Sequence, residues 1–290
     1  MNIKSSSELI LNSDNSVYHL NLLNEDLNDT IITVGDPDRV QKFKKYFDKI
    51  SCEKQNREFH VLSGTSAGKA FTVLSTGIGT DNIDIVFNEL NILSKVDLRT
   101  RSLKEKPQEL NIIRIGTSGT LSEEIALGTY LQSEYAIGLE GLMHYYPVKK
   151  LQTELELEEL VNICIKRDFP FINPYAIKAS ENLLNTFKKI CKNGITATCQ
   201  GFYHPQGRFI FDRPVPSVLE NLKEINWQGS IVTNFEMETA GILGLSRYFG
   251  FQASSISLIL ANRISNQFLE NGDAAMNKMI DTIWDELKSI

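Results

Sequence analysis

The stretch SISLILA, residues 255–261, carries no charged side chain and nothing more polar than serine. A strand of that kind is buried on both faces, so it demands a central sheet covered by helices. The rest of the chain has the matching order. TIITVG (30–35) precedes the helical pattern VQKFKKYFDKI (40–50), and FTVLSTG (71–77) precedes NIDIVFNELNIL (82–93). NIIRIGTSG (111–119), GTYLQSEYAIG (128–138) and SISLILANR (255–263) follow, and the amphipathic MNKMIDTIWDELKSI (276–290) closes the chain. The expected fold is α/β, a mixed central sheet flanked by helices, in a single domain over 1–290 with residues 1–16 as a flexible N-terminal arm. LRTRSLKEKPQEL (98–110) reads as a solvated loop, and LQTELELEELVNICIKR (151–167) as an amphipathic helix with a solvated face.

The 290 residues are 42% hydrophobic and 23% charged, enough for a sizeable core and against disorder. A net charge of −6 provides no broad cationic field, which argues against nucleic-acid or membrane-surface partners and makes any anion site a local one. Cys52, Cys164, Cys191 and Cys199 form no CxxC pair and no metal-like spacing with the histidines, as expected of reduced thiols in the cytoplasm. The N-terminus has no apolar signal region, and no run approaches the ~18 apolar residues of a membrane span.

Two glycine-rich segments fall short of nucleotide motifs. GTSAGKA (64–70) has too few residues between its glycines for a P-loop and lacks a hydroxyl residue after the lysine. STGIGTDN (75–82) lacks the third glycine of a dinucleotide fingerprint. By contrast, VGDPDRV (34–40) follows a strand, turns at Gly35 and starts a helix at Pro37; taken alone it reads either as a plain strand-to-helix turn with a surface arginine or as backbone N–H groups and Arg39 facing one small anion. NIIRIGTSGTL repeats the theme: Arg114 lies among apolar residues, Thr117 offers a hydroxyl, and a buried arginine wants an anion. In NFEMET (234–239), Glu236 and Glu238 stand where a strand gives way to a buried helix. The residues alone leave two readings open, acidic residues at a helix N-terminus or acceptors for the hydroxyls of a ligand.

SVYHLNL, GDPDRV, NREF, STGIG, RIGTSG, GFYHPQGR, NFEMET and ANR, in that order from about Val17 to the C-terminus, resemble the nucleoside phosphorylases, and among them the uridine-cleaving members. The resemblance implies a single-domain phosphorylase fold and cleavage of uridine by phosphate to uracil and ribose 1-phosphate, with no cofactor. It implies phosphate contacts from Gly35, Arg39, Arg114, Thr117 and, across a subunit interface, Arg57. It gives ribose contacts to Glu236, Met237, Glu238 and a neighbour's His19, and base contacts to Phe202, Gln206, Arg208 and Arg263. Arg208, Gln206, Glu238 and Arg114 would carry the chemistry. A homo-oligomer follows, a dimer or a hexamer built as a trimer of dimers, with sites shared across the interface.

The chain also departs from the family. TDN after TGIG replaces a run of small residues and puts in doubt the interface potassium site of relatives, since Glu58 alone defines no metal site. LILANRIS lacks the aspartate with which purine-cleaving relatives protonate the base. A purine phosphorylase, a nucleosidase using water, or a catalytically silent nucleoside-binding protein are the alternatives.

Overall fold

In a computed structural model, which describes residues 7–211 and 216–289, the strands are β1 (Thr30–Val34), β2 (Lys49–Asn56), β3 (Phe59–Ser66), β4 (Lys69–Ser75), β5 (Val96–Asp97), β6 (Ser102–Leu103), β7 (Asn111–Thr120), β8 (Tyr130–Gly138), β9 (Tyr175–Lys178), β10 (Lys192–Thr198), β11 (Asn226–Trp227), β12 (Ser230–Glu236), β13 (Gln252–Asn262) and β14 (Gln267–Phe268). The α-helices are α1 (Pro37–Gln41), α2 (Thr80–Lys95), α3 (Gln152–Lys166), α4 (Glu181–Phe187), α5 (Val218–Lys223), α6 (Thr239–Phe249) and α7 (Gly272–Ser289). The main sheet runs β11-β12-β10-β8-β13-β7-β1-β4-β3-β2, with parallel and antiparallel pairs mixed. It also closes on itself. β12 pairs antiparallel with β7 at Phe235↔Gly119 and Asn234↔Thr120, which joins the two segments RIGTSG and NFEMET at neighbouring strand ends.

Burial follows the sequence pattern. Ser255, Ile256, Ser257, Leu258 and Ile259 of β13 are all buried, as a strand between two helical layers requires. One core packs α2 and α6 against the sheet through residues such as Phe87, Leu90 and Leu245. On the other face α7 buries Met276, Met279, Ile280, Ile283, Trp284 and Leu287, the three- and four-residue spacing of an amphipathic helix. A third cluster joins α3 and α5 to β10 and β12 through Leu157, Val161, Leu222 and Val232. No helix among the described residues is long and apolar enough to cross a membrane.

Three sequence expectations change. The helix read over 40–50 shrinks to α1 and a 3-10 turn at Lys44–Tyr46, because the chain from Lys49 is taken up by antiparallel pairing of β2 with β3. Tertiary pairing overrides a local helical pattern there. The flexible arm does not extend to residue 16: Leu9 is buried in the first core and its carbonyl accepts from Arg101, while Leu11 bridges Val17. Residues 1–6 of that expectation lie outside the described residues. The 98–110 segment carries β6, which folds back on β5. GTSAGKA, set aside as a phosphate motif, is the β3–β4 hairpin, with Ala67 and Gly68 at positive φ in its turn.

Candidate active site

A cavity of about 770 Å³ opens where the ends of β1, β7, β12 and β13 meet the start of α2. Gly35, Arg39, Arg114, Thr117, Phe202, Gln206, Arg208, Glu236, Met237 and Glu238 all line it. The loop after β1 starts α1 with Asp36, whose side chain accepts from the Asp38 N–H, and with Pro37 in the first turn. That turn carries Arg39 to the Ile115 carbonyl at 3.3 Å. Burial lowers the pKa of Arg39; Asp36 opposes this and the nearby Arg114 adds to it.

Arg114, buried on β7, points its Nη2 at Glu238 Oε2 (2.6 Å) and Glu236 Oε2 (3.1 Å). Burial works against the Arg114 charge, but the two carboxylates outweigh it and the pKa is raised. Gly116 makes the seat: a Cβ there would lie 2.0 Å from Arg114 Nη1. The Glu238 pKa is raised as well. Burial pushes its carboxyl up, Arg114 pulls it down and Glu236 pushes it up again.

The two glutamates of NFEMET take different partners. Glu236 accepts from the N–H groups of Glu238 (2.9 Å) and Thr239 (2.9 and 3.0 Å) and from the Thr198 hydroxyl (2.7 Å), so it caps α6 and ties it to β10. With Arg114 added, both of its oxygens are engaged inside the chain. Glu238 also lines the cavity and accepts from Arg114 and from the Gly79 N–H (2.8 Å), one on each oxygen, which leaves it acceptor capacity beyond these two bonds.

The wall that carries GFYHPQGR is built differently. The Arg208 guanidinium stacks 3.7 Å from the Phe202 ring centre and donates to the Phe202 carbonyl (2.7 Å) and Gln206 Oε1 (2.6 Å). Gln206 is buried; its acceptor end is occupied and its NH₂ is the free end. Burial, and then the Arg263 charge, lower the Arg208 pKa. Arg263 is not in the cavity wall as expected of a base contact. It donates to the Gln206 (3.1 Å) and Gly207 (3.0 Å) carbonyls and so braces the loop from behind.

His19 and Arg57 also stand apart from the cavity. His19 donates from Nδ1 and its backbone N–H to Glu89 Oε1, both at 2.8 Å, and its carbonyl accepts from Asn56. Arg57, exposed in the β2–β3 turn at φ 56°, lies 5.8 Å from the Tyr18 ring centre. The two residues thus share one surface patch of the protomer.

Several wall residues escaped the sequence reading. Ile78 and Asn82 come from the turn into α2, Ser118 and Phe235 from the paired ends of β7 and β12, and Leu260, Ala261 and Phe268 from β13 and the short β14. Only the STGIGTDN turn carried a signal, its closely spaced glycines. The Asn82 amide donates to the Ile78 carbonyl at 3.4 Å within that turn. The described residues hold no cluster of three or more metal-ligating side chains.

Comparison with known proteins agrees with this geometry. The uridine phosphorylase of Thermococcus kodakarensis is 27% identical over 277 residues, covering 93% of this chain and 88% of that protein. The uridine phosphorylase of Escherichia coli K12 is 27% identical over 263 residues, covering 88% and 89%. A crystal structure of a Trypanosoma brucei nucleoside phosphorylase, described as showing uridine phosphorylase activity, superposes with a TM-score of 0.88 at 29% identity and covers 97% of this chain and all of that one. Since the phosphorylase superfamily model matches residues 29–285, the chain belongs to the phosphorylase superfamily.

Proposed function

We propose that this protein cleaves uridine with inorganic phosphate, giving uracil and ribose 1-phosphate. The observation that carries the reading is a single cavity lined by Arg39, Arg114 and Thr117, by Glu238, and by Gln206 with Arg208. These groups offer cationic and hydroxyl donors for an anion, a carboxylate for sugar hydroxyls, and an amide with a guanidinium for a flat base. Phosphate sits against Arg39, Arg114, Thr117 and the Gly35 backbone, and one of its oxygens forms the bond to C1′ as the bond from C1′ to the base nitrogen breaks. The electron pair of that bond leaves with uracil and spreads to its carbonyl oxygens, where Arg208 and the Gln206 NH₂ meet it. Water then protonates the released base. The sugar passes through a cationic state that Glu238, ionised and hydrogen-bonded to its hydroxyls, stabilises. No covalent enzyme intermediate, cofactor or metal ion enters this scheme.

The protein works as an oligomer in this reading. His19 and Arg57 stand together outside their own cavity and complete the site of a neighbouring subunit, His19 at the 5′ end of the sugar and Arg57 at the phosphate. The names of the relatives support uridine as the substrate, and the absence of an acidic residue in the ANRIS segment favours a pyrimidine over a purine. The deciding assay incubates pure protein with uridine, inosine or methylthioadenosine, each with and without phosphate, and identifies the sugar product. Ribose 1-phosphate from uridine, formed only with phosphate, is the expected result. Free ribose in the absence of phosphate, or cleavage of inosine in preference to uridine, would overturn the reading.

A further inference from the structure

We propose that Gly79 is a positioning residue for the sugar-binding carboxylate, and that it acts through its backbone N–H alone. The inference rests on the reading of Glu238 as the residue that accepts from the sugar hydroxyls. Gly79 immediately precedes α2, and its N–H donates to Glu238 Oε1 at 2.8 Å, across 159 positions of the chain. Its backbone has φ 89° and ψ 161°, a region that residues with a Cβ essentially do not enter. A Cβ placed there meets nothing within 4 Å, so space is not the reason for a glycine; the conformation is. Gly77 differs, because a Cβ there would run into the Asn82 amide at 2.4 Å.

The consequence lies in how Glu238 is oriented. An ionised carboxylate offers roughly four acceptor positions, two on each oxygen. Gly79 takes one on Oε1 and Arg114 takes one on Oε2, which fixes the plane of the group and leaves one position on each oxygen for a pair of neighbouring hydroxyls. A ribose presents such a pair at C2′ and C3′, whereas a 2′-deoxyribose presents one. Gly79 therefore sets the preference for ribonucleosides. An L-residue at 79 rotates the peptide out of this conformation, frees Glu238 on one side and blurs that preference, with the phosphate site left in place.

The test compares kcat/KM for uridine and 2′-deoxyuridine in wild type, Gly79→Ala and Gly68→Ala. Gly68 is a control for backbone strain, with φ 79° and nothing within 4 Å of a built Cβ, but in the β3–β4 hairpin outside the cavity wall. In Gly79→Ala the uridine preference should fall by about tenfold while the KM for phosphate stays within about twofold of wild type. Gly68→Ala should keep the wild-type preference. An unchanged preference in Gly79→Ala, or an equal fall in Gly68→Ala, would overturn the proposal. Should Gly79→Ala fail to fold, hydrogen exchange of the 76–82 segment decides: the Gly79 amide should exchange faster in Glu238→Ala than in wild type, and equal exchange refutes the contact. Exchange reads that contact whatever the substrate is. A wild type that does not cleave uridine with phosphate would sink the proposed function, not the role of Gly79 at Glu238.

Discussion

At the sugar and phosphate end of the cavity, Arg114, Glu236 and Glu238 are 6%, 4% and 6% exposed, whereas at the base end Phe202 and Tyr203 are 51% and 55% exposed. The first end is knitted from β7, β10, β12, α2 and α6, with Arg114, Glu236 and Glu238 answered by one another and by backbone N–H groups. The second is one loop, in which a cation rests on an aromatic face, a carbonyl and an amide. The difference has a physical origin. Buried charges must be paired when the chain folds, since an unpaired one is costly, so Arg114, Glu236 and Glu238 are part of the core. A half-exposed loop contributes little to stability and is free to differ between relatives that cleave different bases.

Removing Arg114 breaks the first end most severely. Arg114→Ala leaves two buried carboxylates without their cation, which should cost about 3 to 5 kcal/mol in chemical denaturation. Uridine turnover should fall by roughly a thousandfold, because the phosphate also loses a charged donor. The stability deficit should depend on pH with a definite sign. Burial and Glu236 raise the Glu238 pKa while Arg114 lowers it, so the variant binds that proton more tightly than wild type does. A protonated Glu238 has no charge to leave unpaired. The gap in melting temperature between variant and wild type should therefore narrow as pH falls from 7 toward 5 and widen as it rises, and a constant gap would contradict the pairing.

The second end predicts large kinetic and small structural effects. Gln206→Leu should lower kcat/KM for uridine by roughly ten- to a hundredfold, since polar atoms of the bound base lose their partner. Gly116→Ala returns to the first end with a smaller push: the new Cβ displaces the Arg114 guanidinium, and the KM for phosphate should rise by about tenfold with the uridine KM moving less. Arg57→Ala should change stability by less than about 0.5 kcal/mol, as an exposed residue does. Its activity should drop nevertheless, and mixing it with Glu238→Ala under subunit exchange should restore some turnover, because one hybrid site is then intact. No recovery despite exchange would separate His19 and Arg57 from the site.

How much of this was legible in the sequence follows the same division. β13, β7 and α7 were readable because burial on both faces leaves a largely uncharged run and burial on one helical stripe a periodic mark, whereas GDPDRV taken alone fits a plain strand-to-helix turn as well as an anion site. β2 was not: Val40, Phe43 and Phe47 carry a helical spacing, and only pairing with β3 makes the following residues a strand. Nor was the closure of β12 onto β7, on which the meeting of Arg114 with Glu238 depends, because strand pairing across more than 100 residues leaves no local trace. The same holds for the division of labour in NFEMET. Glu236 and Glu238 are chemically identical, and only Thr198, Thr239 and Gly79, brought in by the fold, decide which of them caps a helix and which faces the cavity.

That the anion end is built independently of the base end can be measured without turnover. Calorimetric titration of phosphate into wild-type and Gln206→Leu protein, with no nucleoside present, should give dissociation constants that agree within about twofold, as expected for separate loops that share no ligand contact. Phosphate binding about tenfold weaker in Gln206→Leu would mean that the base loop helps to form the anion site, and would contradict the account.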